Sequence, residues 1–130
     1  MKQRIREITR SGKGRNIETV IKQINEYLRG WFGYYRLNEV KWIFKALDQW
    51  VRRRLRKILW QQWKTPRTRA KKLRSFGLSA EAASKGAYSC RGPWCNAATP
   101  AMHEAITNER LSQWGLRNLL EMQRELIRAT

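Results

Sequence analysis

Two stretches of this chain carry apolar residues at helical steps. Ile17, Val20, Ile21, Ile24, Tyr27, Leu28 and Trp31 recur at intervals of three and four, and so do Val40, Ile43, Phe44, Leu47, Val51, Leu55 and Ile58. An α-helix turns about 100° per residue, so each set forms one stripe along a cylinder and predicts an amphipathic helix. Asn16 is a suitable N-cap for the first. Gly30 and Gly33 are expected to break it, because glycine lets the chain turn or lets another backbone approach. The second helix is expected over 38–64, ending before Pro66, since the residue preceding a proline is pushed out of helical geometry.

Shorter elements surround these two. Ile5 and Ile8 lie three apart among charges and suggest a brief helical turn or strand. Residues 67–76 predict a basic helix closed by Gly77. Ser79 caps a small-residue helix over 80–87. Residues 89–99 read as irregular, with Gly92–Pro93 as the turn. Thr99–Pro100 pairs an N-cap with a first-turn proline and opens a helix over 100–106. Another runs from Asn108 to Trp114 and stops at Gly115. The last, 116–128, sets Leu116, Leu119, Leu120 and Ile127 on one face. No strand pattern persists, so the fold class is all-α: a small helical bundle over 1–66, then a cluster of short helices over 67–130.

The second long helix has a polar side unlike a solvated surface. Lys45, Arg52, Arg53 and Arg56 fall opposite the apolar stripe, together with Trp42, Trp60 and Trp63. Those indoles either pack on a neighbouring helix or stack on bases or ribose. Trp31, Trp50 and Trp114 continue apolar stripes and read as core. Asp48 precedes Arg52 by four residues, the favourable order for a helical ion pair. Arg54 lands at the edge of the stripe and must reach a partner or snorkel.

Charge sharpens this picture. The chain has 28 Lys and Arg against 10 Asp and Glu, a formal net charge of +18. Residues 1–66 hold 17 cations and 5 acids, residues 67–130 hold 11 and 5, and between Asp48 and Glu81 eleven cations face no acid. Such a field repels itself unless a polyanion neutralises it. Nucleic acid is the first candidate and an anionic membrane the second. No apolar run approaches the ~20 residues of a membrane span. MKQRIREITR lacks the apolar core of a secretory signal. Two cysteines in such a chain are no disulfide framework, and a reduced, cytoplasmic setting is expected.

Catalytic and metal patterns are weak. Polymerase chemistry needs carboxylates for divalent metals, and Asp48 is the single aspartate. Cys90, Cys95 and His103 offer three ligands where structural zinc takes four, so neither metal nor cofactor is expected. No Ser or Cys nucleophile has a recognisable base beside it. The glycines of SGKGR (11–15) suit a flexible loop, without the strand that a phosphate-binding loop requires.

One motif set is specific. Asn25, Leu28, Arg29, Gly30, Trp31, Tyr34 and Tyr35 are followed by Asp48, Trp50, Arg52, Arg53, Arg54, Leu55 and Arg56, then by Trp63 and Lys64. This order resembles the maturase-specific region of group II intron reverse transcriptases: an Asn–Leu–Arg–Gly–Trp–Tyr element, an Asp–Trp–Arg–Arg–Arg–Leu–Arg element, then Trp–Lys. REITR near the start and ITNERLSQWGLRNLLEM near the end agree, so the resemblance covers nearly the whole chain. SCRGPWCN departs from the pattern.

The resemblance implies a thumb-like bundle over 1–66 that grips template–primer duplex and binds intron RNA, helping it fold for splicing. It implies a following segment, 67–130, that contacts target DNA. The catalytic aspartates of that family lie upstream of this region, so no polymerase activity is expected of this chain. Candidate RNA contacts are Arg29, Lys45, Arg52, Arg53, Arg54, Arg56, Lys57, Trp60, Trp63 and Lys64. Candidate DNA contacts are Arg67, Arg69, Lys71, Lys72 and Arg74. Exchanging Arg52, Arg53 and Arg56 for Gln is expected to weaken RNA binding and leave folding intact. The expected partners are group II intron RNA and, beyond it, template–primer duplex and target DNA, with no membrane and no small-molecule substrate. Two other classes fit the charge: a generic basic nucleic-acid-binding protein, and an amphipathic protein that gains helix on anionic vesicles.

Overall fold

A computed structural model describes residues 2–10, 16–35, 41–89 and 92–129. These residues form nine helices and no strand: α1 (Lys2–Arg10), α2 (Ile17–Tyr35), α3 (Lys41–Gln62), α4 (Pro66–Ser75), α5 (Ala80–Ala87), α6 (Pro93–Asn96), α7 (Pro100–Ala105), α8 (Asn108–Gln113) and α9 (Leu119–Ala129). The fold is all-α. The SGKGR loop, the start of the long helix at Asn38–Val40, and Cys90 lie outside the described residues.

The two long stripes do what their spacing requires. Val20, Ile21, Ile24 and Leu28 of α2 are buried with Phe44, Val51, Leu55 and Ile58 of α3, and Ile5 and Ile8 of α1 complete that layer. Each fully buried aliphatic or aromatic side chain contributes about 1.5–3 kcal/mol from burial alone. Contrary to the expected break, α2 runs through Gly30 and Gly33 to Tyr35. A Cβ at either glycine would meet nothing within 4 Å, so neither serves a close approach. Glycine inside a helix costs about 1 kcal/mol. That cost is offset by Trp31 and Phe32, whose rings lie 6.0 and 5.8 Å from that of Phe44.

Local signals set most helix ends. Thr65, Ser79, Thr99 and Thr107 each accept a backbone N–H of the first turn that follows, satisfying donors with no partner inside the helix. At the end of α4 the Gly77 N–H donates to the Arg74 carbonyl and the Leu78 N–H to that of Leu73, with Gly77 at φ +104°. Gly115, at φ +106°, closes α8 with the same pattern. Both are Schellman ends, which need a left-handed residue that glycine supplies without strain. Two expectations fail here. Residues 93–96 form the short helix α6, with Gly92 as N-cap and Pro93 in its first turn. The last helix begins only at Leu119, and Ile127, expected on its apolar face, is 67% exposed.

The central element is α3, which touches α1, α2, α6 and α9. The buried cluster is continuous from Ile5 to Leu119 across the α3–α4 turn.

Candidate nucleic-acid interface

The side of α3 expected to face outward is largely covered. Trp60 and Trp63 are 1% and 5% exposed, and Arg56 is 2% exposed. All three are corrections to the outward reading. Trp63 stacks on Phe76, which meets Trp114 edge-on, at centroid distances of 6.0 and 6.2 Å. Trp60 lies under Arg69, whose Cζ is 4.6 Å from the ring centroid and whose Nε donates to the Trp60 carbonyl at 3.1 Å. Trp42 alone of the three indoles stays outward, 71% exposed.

The arginines of α3 divide by partner. Arg56 donates from Nε to the Ile106 carbonyl at 2.8 Å and from Nη2 to Asn108 Oδ1 at 2.9 Å. Ile106 ends α7, so the guanidinium sits where the helix dipole is negative. Burial, and then Arg52, push Arg56 down to about 10, which leaves it charged near neutral pH. Arg53 donates twice to the Trp94 carbonyl, at 3.0 and 2.8 Å, and its Cζ lies 3.9 Å from the Trp94 ring centroid. Arg54 does reach a partner, as its place on the stripe requires: Nε and Nη2 donate to Thr9 Oγ1 at 3.2 and 2.7 Å. Arg52 is half-buried beside Asp48, and burial lowers its pKa while Asp48 raises it.

Asp48 is more than a partner for Arg52. It is 4% exposed, and its Oδ1 and Oδ2 accept the Leu119 and Leu120 N–H groups at 2.8 and 3.2 Å. It thereby caps the first turn of α9 from another helix. Burial raises its pKa, and this outweighs the two N–H donors and Arg52, which lower it. Asn25 acts alike from α2: its Nδ2 donates to the Gly115 carbonyl at 2.7 Å and its Oδ1 accepts the Arg117 N–H at 2.9 Å. Two residues of the sequence motif thus hold the segment 115–120.

The remaining candidates are open to solvent. Arg29, Lys45, Lys64, Arg67, Lys71, Lys72 and Arg74 are exposed, and Lys57 is half-buried. The four from α4 stand on a helix with no acid in its sequence, PRTRAKKLRS. His103 is exposed, with its pKa lowered by partial burial and then by Arg56, Arg52 and Arg53. These neighbours would repel a metal cation. Among the described residues no cluster of His, Cys, Asp or Glu has the make-up of a metal site. Nor, among the described residues, is any helix long and apolar enough to cross a membrane.

Residues 1–77 match the family of the group II intron maturase-specific domain. The chain belongs to that family. The match ends at Gly77, the glycine that closes α4. This maturase domain serves group II intron splicing, as a non-catalytic part of reverse-transcriptase-related proteins, and membership implies group II intron RNA as its partner. No curated protein matches the chain.

Sequence reasoning misses the residues that hold these arginines: Thr9, Trp94, Ile106 and Asn108. Sequence separations of 41 to 52 residues put those partners beyond helical periodicity. Arg6 and Arg10 are missed as well, although their spacing of four on α1 is a readable signal.

Proposed function

We propose that the exposed cations of α3 and α4 bind folded group II intron RNA through its phosphates and hold it in a splicing-competent shape. The observation that carries this is the acid-free surface of α4, where Arg67, Lys71, Lys72 and Arg74 are exposed. Lys45 on α3 and Lys64 in the turn before α4 extend the same set, and Arg29 adds a contact from α2. Cations neutralise phosphates and release counterions, while a rigid scaffold fixes which phosphates are met together. The buried Arg56, Trp60 and Trp63 support that scaffold rather than touch RNA. Arg52, Arg53 and Arg69 are half-buried and act chiefly by fixing the helices that display the exposed set. Template–primer duplex fits the same surface, and residues 67–130 supply target-DNA contacts through α4. The chain performs no covalent step, and the purified chain is expected not to extend a primer.

Filter binding across a salt series tests the reading. With roughly 6–10 phosphates contacted, affinity falls by about 10³–10⁵ between 50 and 200 mM salt. Folded intron RNA should bind more tightly than random duplex of equal length. A flat salt response, or equal affinity for both nucleic acids, would return the chain to the generic basic class.

A further inference from the structure

Cations face cations where α1 lies against α3. Lys2, Arg6 and Arg10 recur at steps of four and so share one side of α1. Opposite them α3 presents Trp50, Arg54 and Lys57. Lys2 Nζ, Arg6 Cζ and Arg54 Cζ lie 5.3, 5.7 and 5.8 Å from the Trp50 ring centroid. A notch of about 230 Å³ opens between the helices, lined by Arg6, Thr9, Arg10, Arg54, Lys57 and Gln61, with Ile58 at its wall. No acid is among these lining residues. The acid of α1, Glu7, pairs with Arg4 at 3.2 Å.

Helix packing alone gives no reason for this arrangement. Like charges set together in a concave site repel, and the low-dielectric wall strengthens the repulsion. The indole face attracts each cation but cannot cancel their mutual repulsion. The negative C-terminal end of α1 accounts for Arg10, not for Arg6 or Arg54. Arg54 is also held in place: Thr9 Oγ1, itself 2.8 Å from the Ile5 carbonyl it donates to, takes its Nε and Nη2, which fixes the plane of the guanidinium. Burial, and then Arg6 and Arg10, lower the Arg54 pKa, as expected where the counter-charge must come from outside.

We propose that this notch holds one phosphate group of the bound RNA, with Arg6, Arg10 and Arg54 as its ligands. Guanidinium donors match phosphate oxygens in number and geometry. The α1–α3 notch would act as an index point that fixes register, while the exposed cations of α4 bind diffusely. This deepens the RNA-binding reading and rests on it.

The test uses the full chain and two probes. Inorganic phosphate is titrated at constant ionic strength while arginine Nε–H signals are followed by NMR. The signals of Arg6, Arg10 and Arg54 should move together along one saturable curve, and those of Arg67 and Arg74 should drift weakly. In filter binding with folded group II intron RNA, Arg10→Gln should weaken affinity about tenfold and lower the salt slope by about one phosphate's worth. Arg67→Gln should lose clearly less. Arg6→Gln, also exposed, repeats the test at an independent position, with circular dichroism as the folding control. A uniform response of all five arginines to phosphate overturns the proposal, as do equal affinity losses in the Arg10 and Arg67 variants. A saturable phosphate curve with RNA affinity unchanged by Arg10→Gln assigns the notch to free phosphate and overturns the RNA source. Wild-type chain that binds no intron RNA would sink the proposed function and the RNA source together, while the phosphate curve would still report whether the notch takes an anion.

Discussion

Arg56 and Arg67 stand eleven positions apart and have opposite fates. The first is 2% exposed and bonded to Ile106 and Asn108; the second is exposed on α4. The contrast extends to their neighbourhoods. The α3 side that carries Arg53, Arg56, Trp60 and Trp63 is an internal seam closed by α4 and the helices after it, whereas the outer side of α4 is a cationic surface with no counter-charge of its own. One basic, tryptophan-rich stretch therefore does two jobs. Guanidinium and indole groups lend themselves to both, because each joins a flat apolar face to strong hydrogen-bond donors. Residue type does not separate the jobs; what folds back over the residue does.

That comparison breaks first at Trp60. Trp60→Ala should cost about 3–5 kcal/mol, the range for truncating a buried aromatic, read as a lowered midpoint in denaturant. A loss below about 1 kcal/mol would mean that the seam is not closed in solution. Arg56→Gln comes next. It gives up two charge-assisted bonds and should cost about 1–3 kcal/mol. Arg56→Met should be milder, since apolar replacements of buried charges are often tolerated. The joint exchange of Arg52, Arg53 and Arg56, which the sequence presents as harmless to folding, should therefore lower the melting temperature.

Asp48→Ala should cost about 1 kcal/mol, the usual loss for a helix cap, and should speed hydrogen exchange at Leu119 and Leu120. Its pH dependence has a definite sign. The folded pKa lies above 3.8, so the folded state binds the proton more tightly than the unfolded chain does. The contribution of Asp48 is greatest below pH 3.8 and declines as pH rises through the raised value. The gap in melting temperature between wild type and Asp48→Ala should narrow in that direction. Smallest in stability is the α4 triple Arg67→Gln, Lys71→Gln and Arg74→Gln. Each exposed change should stay within about 0.5 kcal/mol. RNA affinity should fall, and the salt slope should drop by about 0.9 for each phosphate that is no longer neutralised. A melt that moved as much as binding did would erase the distinction between seam and surface.

Where the sequence is readable, the cause is local. Ser79, Thr99, Gly77 and Gly115 act within a turn of themselves, so their caps follow from the residues alone. The stripes on α2 and α3 depend on helical period alone. Trp60 and Trp63 cannot be placed that way, because a period reports which residues share a face and not what covers that face. Asp48 reads as a partner of Arg52, four residues away, although its bonds go to Leu119 and Leu120, 71 and 72 residues on. Gly30 and Gly33 suggest a break because their cost is local, while the packing that outweighs it comes from Phe44. In the candidate interface, the exposed cations of α4 are legible from charge. The α1–α3 notch is not, because it exists only once two helices meet.

The cap that Asp48 places on α9 also sets an order of events. A chain emerging from a ribosome presents α3 long before Leu119, so the carboxylate waits, solvated, for donors that do not yet exist. Closing so long a loop carries an entropic penalty, and contacts this distant slow the search for the native state. Arg56 and Asn25 wait in the same way, for Asn108 and for Gly115. Ending translation at Gly77, where the family match stops, should therefore release a nascent chain with helical content but a loose, protease-sensitive α3. Maturation of the first half would be a late step, triggered by the arrival of the second.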